Sequence, residues 1–327
     1  IHIMFMDYTS KSVRYTGRFA KLGNTMTATA AGSVIEIAFK GESILLKFDL
    51  EGQTYPYPHL WMQLDGGSWI EAQLDWYLRM NAQNSGTHIA KIVLKSSMEQ
   101  QERWSMPLVA KLSFVGAEVE GEADLPEDNR KTIELVGDSI TEGVLIDADK
   151  TPIEPEWHCR TFQDDVFATY GYITAQNLNL RSYHMGYGAV GFTHGGCGNV
   201  PAVNDAYDYC FAGAPVTYGH PDYILINHGV NDWRSDVNDY LREYEKYLNH
   251  LIEIHPNSKI IVLNNFRGVF KEETADLVSS FNNEHGTDVF YIDSSDWVPA
   301  EPLHPLRDGH QIIAEHLTEI LKEKYSL

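Results

Sequence analysis

Lys131-Thr132-Ile133-Glu134-Leu135-Val136-Gly137-Asp138-Ser139-Ile140-Thr141-Glu142-Gly143 is the stretch on which the reading of this chain turns. Thr132 to Val136 reads as a short buried strand that ends abruptly at a Gly-Asp-Ser turn. Open parallel α/β sheets bind ligands beyond the carboxyl ends of their strands, and a serine placed there presents its hydroxyl to such a site. Gly137 permits a sharp bend. Asp138-Ser139 is equally what a plain helix cap looks like, so the surrounding chain has to decide between the two.

Downstream of this stretch the pattern is a regular alternation of strands and helices. Strands are expected at Thr132–Val136, Leu180–His184, Tyr223–Asn227, Lys259–Asn264 and Asp288–Ile292, and helices at Phe162–Leu178, Val237–Ile254, Glu272–His285 and Gly309–Leu321. The second helix carries Tyr240, Leu241, Tyr244, Tyr247, Leu248, Leu251 and Ile252 every three or four residues, the stripe of a helix packed on one face. Five short strands alternating with helices predict a doubly wound parallel sheet. The long irregular stretches Val144–His158 and Gly186–Gly198 are expected to wall a site.

Upstream, residues 1–120 read as all-β. Alternating runs such as Ser33–Phe39, Ser43–Phe48, Leu60–Leu64, Trp69–Leu74, His88–Leu94 and Leu108–Val115 are separated by Gly- and Asn-bearing turns. Seven or eight such strands predict a β-sandwich of jelly-roll type. Residues 121–131, acidic and poor in apolar side chains, are the expected linker, and residues 132–327 the second domain.

Composition narrows the function. Of the formal charge of −21, residues 1–120 contribute −1 (11 Lys+Arg, 12 Asp+Glu) and residues 121–327 contribute −20 (14 and 34). Such a field repels phosphate backbones and anionic lipid surfaces, which argues against nucleic acid and membrane as partners and favours a neutral substrate. No apolar run has the length of a membrane span and no basic-then-apolar leader is present. Three cysteines, Cys159, Cys197 and Cys210, do not make a disulfide framework and point to a reducing, cytoplasmic compartment, with secretion left open.

The residues that could carry chemistry lie at the ends of the expected strands. Acyl transfer needs an activated nucleophile, a base, and donors aimed at the developing oxyanion. Ser139 is the candidate nucleophile. The strand Tyr223–Asn227 runs into His228-Gly229-Val230-Asn231-Asp232-Trp233, where Asn231 either offers its amide to the site or only forms a turn. A third edge, Gly186-Tyr187-Gly188-Ala189-Val190-Gly191, exposes backbone N–H groups. Near the carboxyl terminus, Pro302 and Pro305 hold His304 on an extended segment outside the last helix, so His304 is the candidate base and His310 a packing residue. His184, His194 and Cys197, with His158 and Cys159 upstream, match no common zinc spacing, and the expected reaction requires no metal or other cofactor.

Gly137-Asp138-Ser139, a glycine-rich turn, Gly229-Val230-Asn231-Asp232 and a late His304-Pro305, in this order over about 190 residues, resemble the SGNH (GDSL-type) hydrolases. With a jelly roll in front, the layout looks like that of carbohydrate esterase family 2, whose members deacetylate plant polysaccharides. The resemblance implies a flavodoxin-like, three-layer α/β SGNH domain. It implies Ser139 as nucleophile, His304 as base, and an oxyanion hole from the Ser139 N–H, the N–H of Gly188 (or of Gly186) and the Asn231 side chain. It also implies an acid three residues before the histidine, here Glu301 rather than the usual Asp, so that either Glu301 completes a triad or a Ser–His dyad operates.

Trp157, Tyr187, Phe192, Trp233 and Trp297 fall on loops beside the same strand ends. Trp233, Tyr187 and Trp297 are the expected sugar-binding surfaces. The expected function is removal of O-acetyl groups from acetylated xylan, mannan or their oligosaccharides. The alternatives are an esterase or acyltransferase acting on another small ester, and a non-catalytic carbohydrate-binding protein. The sandwich is a possible oligomerisation surface.

Overall fold

Two large antiparallel sheets, a small antiparallel pair (Tyr209–Phe211 with Ala214–Pro215) and one parallel sheet flanked by helices make up the computed structural model, which describes residues 2–150 and 160–327. Each of the two large antiparallel sheets has six strands. Their inward residues meet in one core: Ile35, Ile37, Phe39, Leu60 and Ile92 from one sheet, Ile44, Leu46, Phe48, Leu112 and Phe114 from the other. The period-two alternation read from Ser43–Phe48 is realised as one buried, one half-buried side chain in turn. The first four strands, the Tyr77–Asn81 strand and Gly121–Glu122 add to the runs legible in the sequence. Gly121–Glu122 pairs with Val34–Lys40, so the antiparallel sheet extends into the acidic connector.

The parallel sheet has the order Arg181–Gly186, Thr132–Gly137, Tyr223–Asn227, Lys259–Leu263, Phe290–Ile292. In sequence order this is 2-1-3-4-5, which reverses direction beside the first strand. Register aligns Gly137 with both Gly186 and Asn227, so the loops after these three strands leave the sheet at one level. Both faces are covered, which is why these strands are continuously apolar. Val136, Ile224, Ile226, Ile260 and Val262 face Tyr240, Tyr244, Tyr247, Leu248 and Leu251 of the helix Val237–Ile254. Ile133, Leu135, Leu225, Ile261 and Leu263 face Tyr170 and the final helix Arg307–Tyr325 through Ile313, Leu317 and Leu321.

The expected helix Phe162–Leu178 is divided into Arg160–Gln163, a 3-10 turn at Val166–Ala168, and Tyr170–Asn177. Asp165 accepts the Phe167 N–H at 2.9 Å and Thr169 the Tyr172 N–H at 3.2 Å, so each side chain starts a new turn where the sequence suggested continuity. Asp165 also accepts the indole N–H of Trp61 at 2.9 Å, which ties the break to the antiparallel unit.

The two halves share core. Ala30, Trp104 and Leu108 belong to the same apolar cluster as Val136, Met185 and Tyr187. Lys95, almost wholly buried, donates to the carbonyls of Thr161 and Asp164, both at 2.8 Å. Arg18, also buried, donates to the carbonyls of Tyr207 and Tyr209 at 2.7 and 2.8 Å.

Candidate active site

Ser139 begins a single helical turn, Ser139–Glu142, immediately after the central strand. Asp138 is the cap of that turn: its Oδ1 accepts the Ile140 N–H at 3.0 Å. Burial, with Asp232 and Glu142 nearby, pushes the Asp138 carboxyl up to about 7. The sharp exit from the strand depends on Gly137, where a Cβ would overlap the Thr141 hydroxyl and lie 2.9 Å from the Asn227 carbonyl. Both readings of Asp138-Ser139 therefore apply at once, because Asp138 is the cap and the turn it caps presents Ser139.

His304 comes from the irregular segment before the final helix, and its Nε2 lies 2.9 Å from the Ser139 Oγ. The pair spans 165 residues of chain and is half-buried. Burial lowers the His304 pKa, Glu99 raises it and Arg160 lowers it, for a net fall from the ordinary imidazole value. A neutral imidazole accepting from a serine hydroxyl is the arrangement in which the base can take the serine proton. His310, six residues on, is fully buried in the helix; its Nδ1 accepts the Tyr170 N–H at 2.9 Å, and burial pushes its pKa down to about 3.

The expected third member lies elsewhere. The Glu301 carboxylate pairs with Arg267, and its side chain is 74% exposed. Among the described residues, the one side-chain hydrogen bond of His304 is the one to Ser139. The Glu301 offset of three residues does not aim its carboxylate at the imidazole, because the extended segment carries it out to solvent.

Of the expected oxyanion donors, the Ser139 N–H is one of the orphan donors at the start of its turn and has no hydrogen bond among the described residues. Gly188 is different: its N–H donates to Glu142 Oε2 at 2.8 Å, so that donor is already occupied. Asn231 is half-buried and its Nδ2 donates to the Val190 carbonyl at 3.3 Å, which ties the Asn231 turn to the glycine-rich loop. Asp232 makes the same connection more strongly, accepting the N–H groups of Phe192 and Thr193 at 3.1 and 2.9 Å. His194 completes it by donating to the Asn231 carbonyl at 2.7 Å.

The three expected sugar platforms divide. Trp233 is 60% exposed next to the Asn231 turn, with the Arg234 guanidinium 4.3 Å from its ring centroid on one face. Tyr187 is buried, its hydroxyl bonded to Thr29 at 2.8 Å and its ring under Arg103, so it cannot line a cleft. Trp297 packs on the final helix, stacked on His316 at 4.9 Å between ring centroids. Phe192 is buried and stacked on Tyr244. Trp157, His158 and Cys159 lie outside the described residues. His184 bonds to Ser182 and His194 to backbone carbonyls, and among the described residues no group of three His, Cys, Asp or Glu could hold a metal ion.

Sequence reasoning missed a buried charge cluster beneath Ser139. Arg103, fully buried, pairs with Glu142, and Arg160 bonds to Glu99 at 2.9 Å and to Asp164 at 3.3 Å. Burial pushes Glu142 up to about 7 against the opposing pull of Arg103, and Asp164 to about 6. The one local signal was Ser139-x-x-Glu142, which looks like a capping box. Asp138 takes the cap, which frees Glu142 to hold Gly188 and Arg103.

This layout is the fold of the family two carbohydrate esterases. A structure of one from Cellvibrio japonicus superimposes with a TM-score of 0.82 over 98% of each chain at 19% identity. An acetyl xylan esterase from the rumen bacterium Butyrivibrio proteoclasticus does so with a TM-score of 0.78 over 100% of this chain and 99% of the other, at 17% identity. No family model matches the chain. Among curated proteins, the cellulase/esterase CelE of Acetivibrio thermocellus is 24% identical over 229 residues, 61% of this chain. The chain spans about a quarter of that relative's length, 26%. Among the described residues no helix is long and apolar enough to cross a membrane.

Proposed function

We propose that the protein is a serine esterase that removes O-acetyl groups from neutral carbohydrate. Ser139 attacks the acetyl carbonyl while His304 takes its proton, then returns it to the leaving sugar hydroxyl. Water releases acetate from the acyl-enzyme by the same base. The observation that carries this is the 2.9 Å contact between the Ser139 Oγ and a half-buried His304 at the carboxyl end of the central strand. The pair works as a dyad, with Glu301 outside it. The Ser139 N–H and the Asn231 amide are the oxyanion donors, the latter after turning away from the Val190 carbonyl. Trp233 offers an exposed ring to a sugar face.

The finer architecture belongs to the same proposal: a jelly roll over residues 1–120, a connector over 121–131 and an SGNH-type catalytic domain over 132–327. Acetylated xylan and mannan oligosaccharides are the substrates in view; xylan is consistent with the acetyl xylan esterase the chain superimposes on, and both neutral polymers suit an acidic second half that disfavours anionic ones. The test is acetate release from acetylated xylan, mannan and short oligosaccharides, alongside p-nitrophenyl acetate, by wild type and Ser139→Ala. Loss of about 10³-fold or more in the variant is expected. Wild type without Ser139-dependent hydrolysis of any of these overturns the proposal.

A further inference from the structure

We propose that the groove between the outer face of the antiparallel unit and the helix Tyr170–Asn177 is a second carbohydrate site, which holds an oligosaccharide by a uronic acid. It lies apart from the strand ends that carry Ser139, and the esterase chemistry uses none of its residues. The choice of a sugar over another ring-bearing anion rests on the proposed function; the anion site itself does not.

Strand register builds the groove. Gln63, Lys91, Glu36 and Arg14 stand directly opposite one another in a row across four neighbouring strands, and Trp61, Val93, Val34 and Thr16 form a second row. Both rows point away from the sandwich core, which takes the alternating Ile35, Ile37 and Ile92. Phe167, from the second half, covers the apolar row, its ring stacked on Trp61 at 5.8 Å between centroids. The polar row stays open, and a cavity of about 350 Å³ extends from it to Arg130, Tyr172, Gln176 and Arg181. Arg181 begins the strand whose other end, Gly186, is level with Gly137. Five residues at roughly 3.3 Å each put the groove about 16 Å from the level of Ser139.

Two features define the occupant. The first is charge. Arg14, Lys91, Arg130 and Arg181 share the carboxylates of Glu36 and Asp128; four cations against two anions leave an excess of two positive charges in a chain of −21. The carboxylates are nearly covered, with side-chain exposures of 9% and 11%, whereas Lys91 is 41% and Arg130 33% exposed. Arg130 spends Nε and Nη2 on Asp128 at 2.9 and 2.6 Å. Its Nη1 and the Lys91 ammonium donate no hydrogen bond among the described residues, and Lys91 stays 3.7 Å from Glu36. Those are donors for an anion. The second feature is aromatic. Trp69, Phe167 and Tyr172, all half-buried, make one connected surface, with Phe167 stacked on Tyr172 at 4.4 Å and edge-on to Trp69 at 4.8 Å. Apolar ring faces beside a few charged donors suit a pyranose that carries a carboxylate. The −20 of residues 121–327 disfavours a polyanion, but not a single uronate on an otherwise neutral chain.

The test is calorimetric titration of the whole chain with two unacetylated ligands, xylotetraose and xylotetraose bearing one glucuronic acid. Neither contains an acetyl ester, so turnover does not interfere. At low salt the uronate ligand should bind about tenfold tighter, the scale of a charge-assisted hydrogen bond, and high salt should shrink that advantage. Lys91→Gln should remove the advantage and Lys91→Arg should keep it. Trp69→Ala should weaken both ligands about fivefold. All three variants should match wild type in thermal unfolding to within a few degrees and in p-nitrophenyl acetate hydrolysis to within about twofold. If Trp69→Ala does not fold, the two Lys91 variants decide alone. Equal affinity for the two ligands, or an advantage that Lys91→Gln leaves intact, overturns the proposal. Uridine monophosphate binding more tightly than the uronate, and losing that affinity in Lys91→Gln, overturns the assignment to a sugar. Calorimetry needs no ester hydrolysis, so a wild type inert toward esters is a failure of the proposed function, and a wild type that does not distinguish the two ligands is a failure of this one.

Discussion

Removing Arg103 tests how the two halves of the molecule hold the Ser139 turn. In Arg103→Met, the Glu142 carboxylate, 3% exposed, keeps only the Gly188 N–H as a hydrogen-bond partner among the described residues. Breaking a buried ion pair from one side costs roughly 3–5 kcal/mol, and the lost stacking on Tyr187 adds up to about 1 kcal/mol. Unfolding entropy near 2.1 cal/mol/K per residue, over 327 residues, gives about 0.7 kcal/mol/K, so 3–5 kcal/mol corresponds to a fall in Tm of roughly 4–7 °C. The penalty should depend on pH. Glu142 is held up at about 7 even with Arg103 pulling it down, so without that cation it is protonated over a wider range.

A carboxyl whose folded pKa is raised loses stability as pH rises through that value. Arg103→Met should therefore be mildest at pH 5 and worst at pH 8. Thermal and urea unfolding at both pH values, with Glu142→Gln and the double variant, closes the cycle: the neutral amide still accepts from Gly188, so the double variant should recover at least half the loss. A penalty below about 1 kcal/mol at pH 8, a penalty flat with pH, or a double variant as unstable as the sum of the singles refutes this account of the junction.

Two other substitutions separate roles that lie close in sequence. His310 is neutral in the fold until about pH 3, whereas an unfolded histidine takes up a proton below about 6.5. Stability is thus lost as pH falls through that window, at about 1.4 kcal/mol per pH unit. His310→Asn, whose side-chain oxygen can accept the Tyr170 N–H, should flatten the difference in urea stability between pH 7 and pH 5 by about 2 kcal/mol; an unchanged difference refutes the buried-neutral assignment. Glu301→Ala should change kcat/KM by no more than about threefold, as expected for an exposed ion pair. A loss approaching 10⁴-fold would restore it as the triad acid.

What the sequence revealed and what it concealed divide by the range of the interaction. The helix Val237–Ile254 was legible to the residue because Tyr240, Tyr244, Leu248 and Leu251 repeat on one face; the structure adds Asp236 as its cap. The strand ends that bear Ser139 and Asn231 were legible because a fully buried apolar run must end where polar turn residues begin. The division of Phe162–Leu178 was hidden: Asp165 reads as an ordinary helical residue until Trp61 and Phe167 both claim its carboxylate. Tyr187 looked like a loop aromatic because its burial depends on Thr29 and Arg103, which approach from the antiparallel unit. Gly188 looked free to bind an oxyanion because nothing local announces that Glu142 will take its N–H. Glu301 was named by its spacing from His304, but spacing along an extended segment does not fix where a carboxylate points.

Lys95, with its ammonium spent on the carbonyls of Thr161 and Asp164, bears on how this chain could be recombined with others. Those carbonyls close the short helix that carries Arg160, which in turn grips Glu99. Grafting a foreign binding module in place of the first 120 residues would strip away a lysine, an arginine and a glutamate that the second half has no means of replacing. The antiparallel unit is therefore an obligate half of one packed body, and swaps that preserve the fold would have to carry the segment from Lys95 to Arg103 along with them.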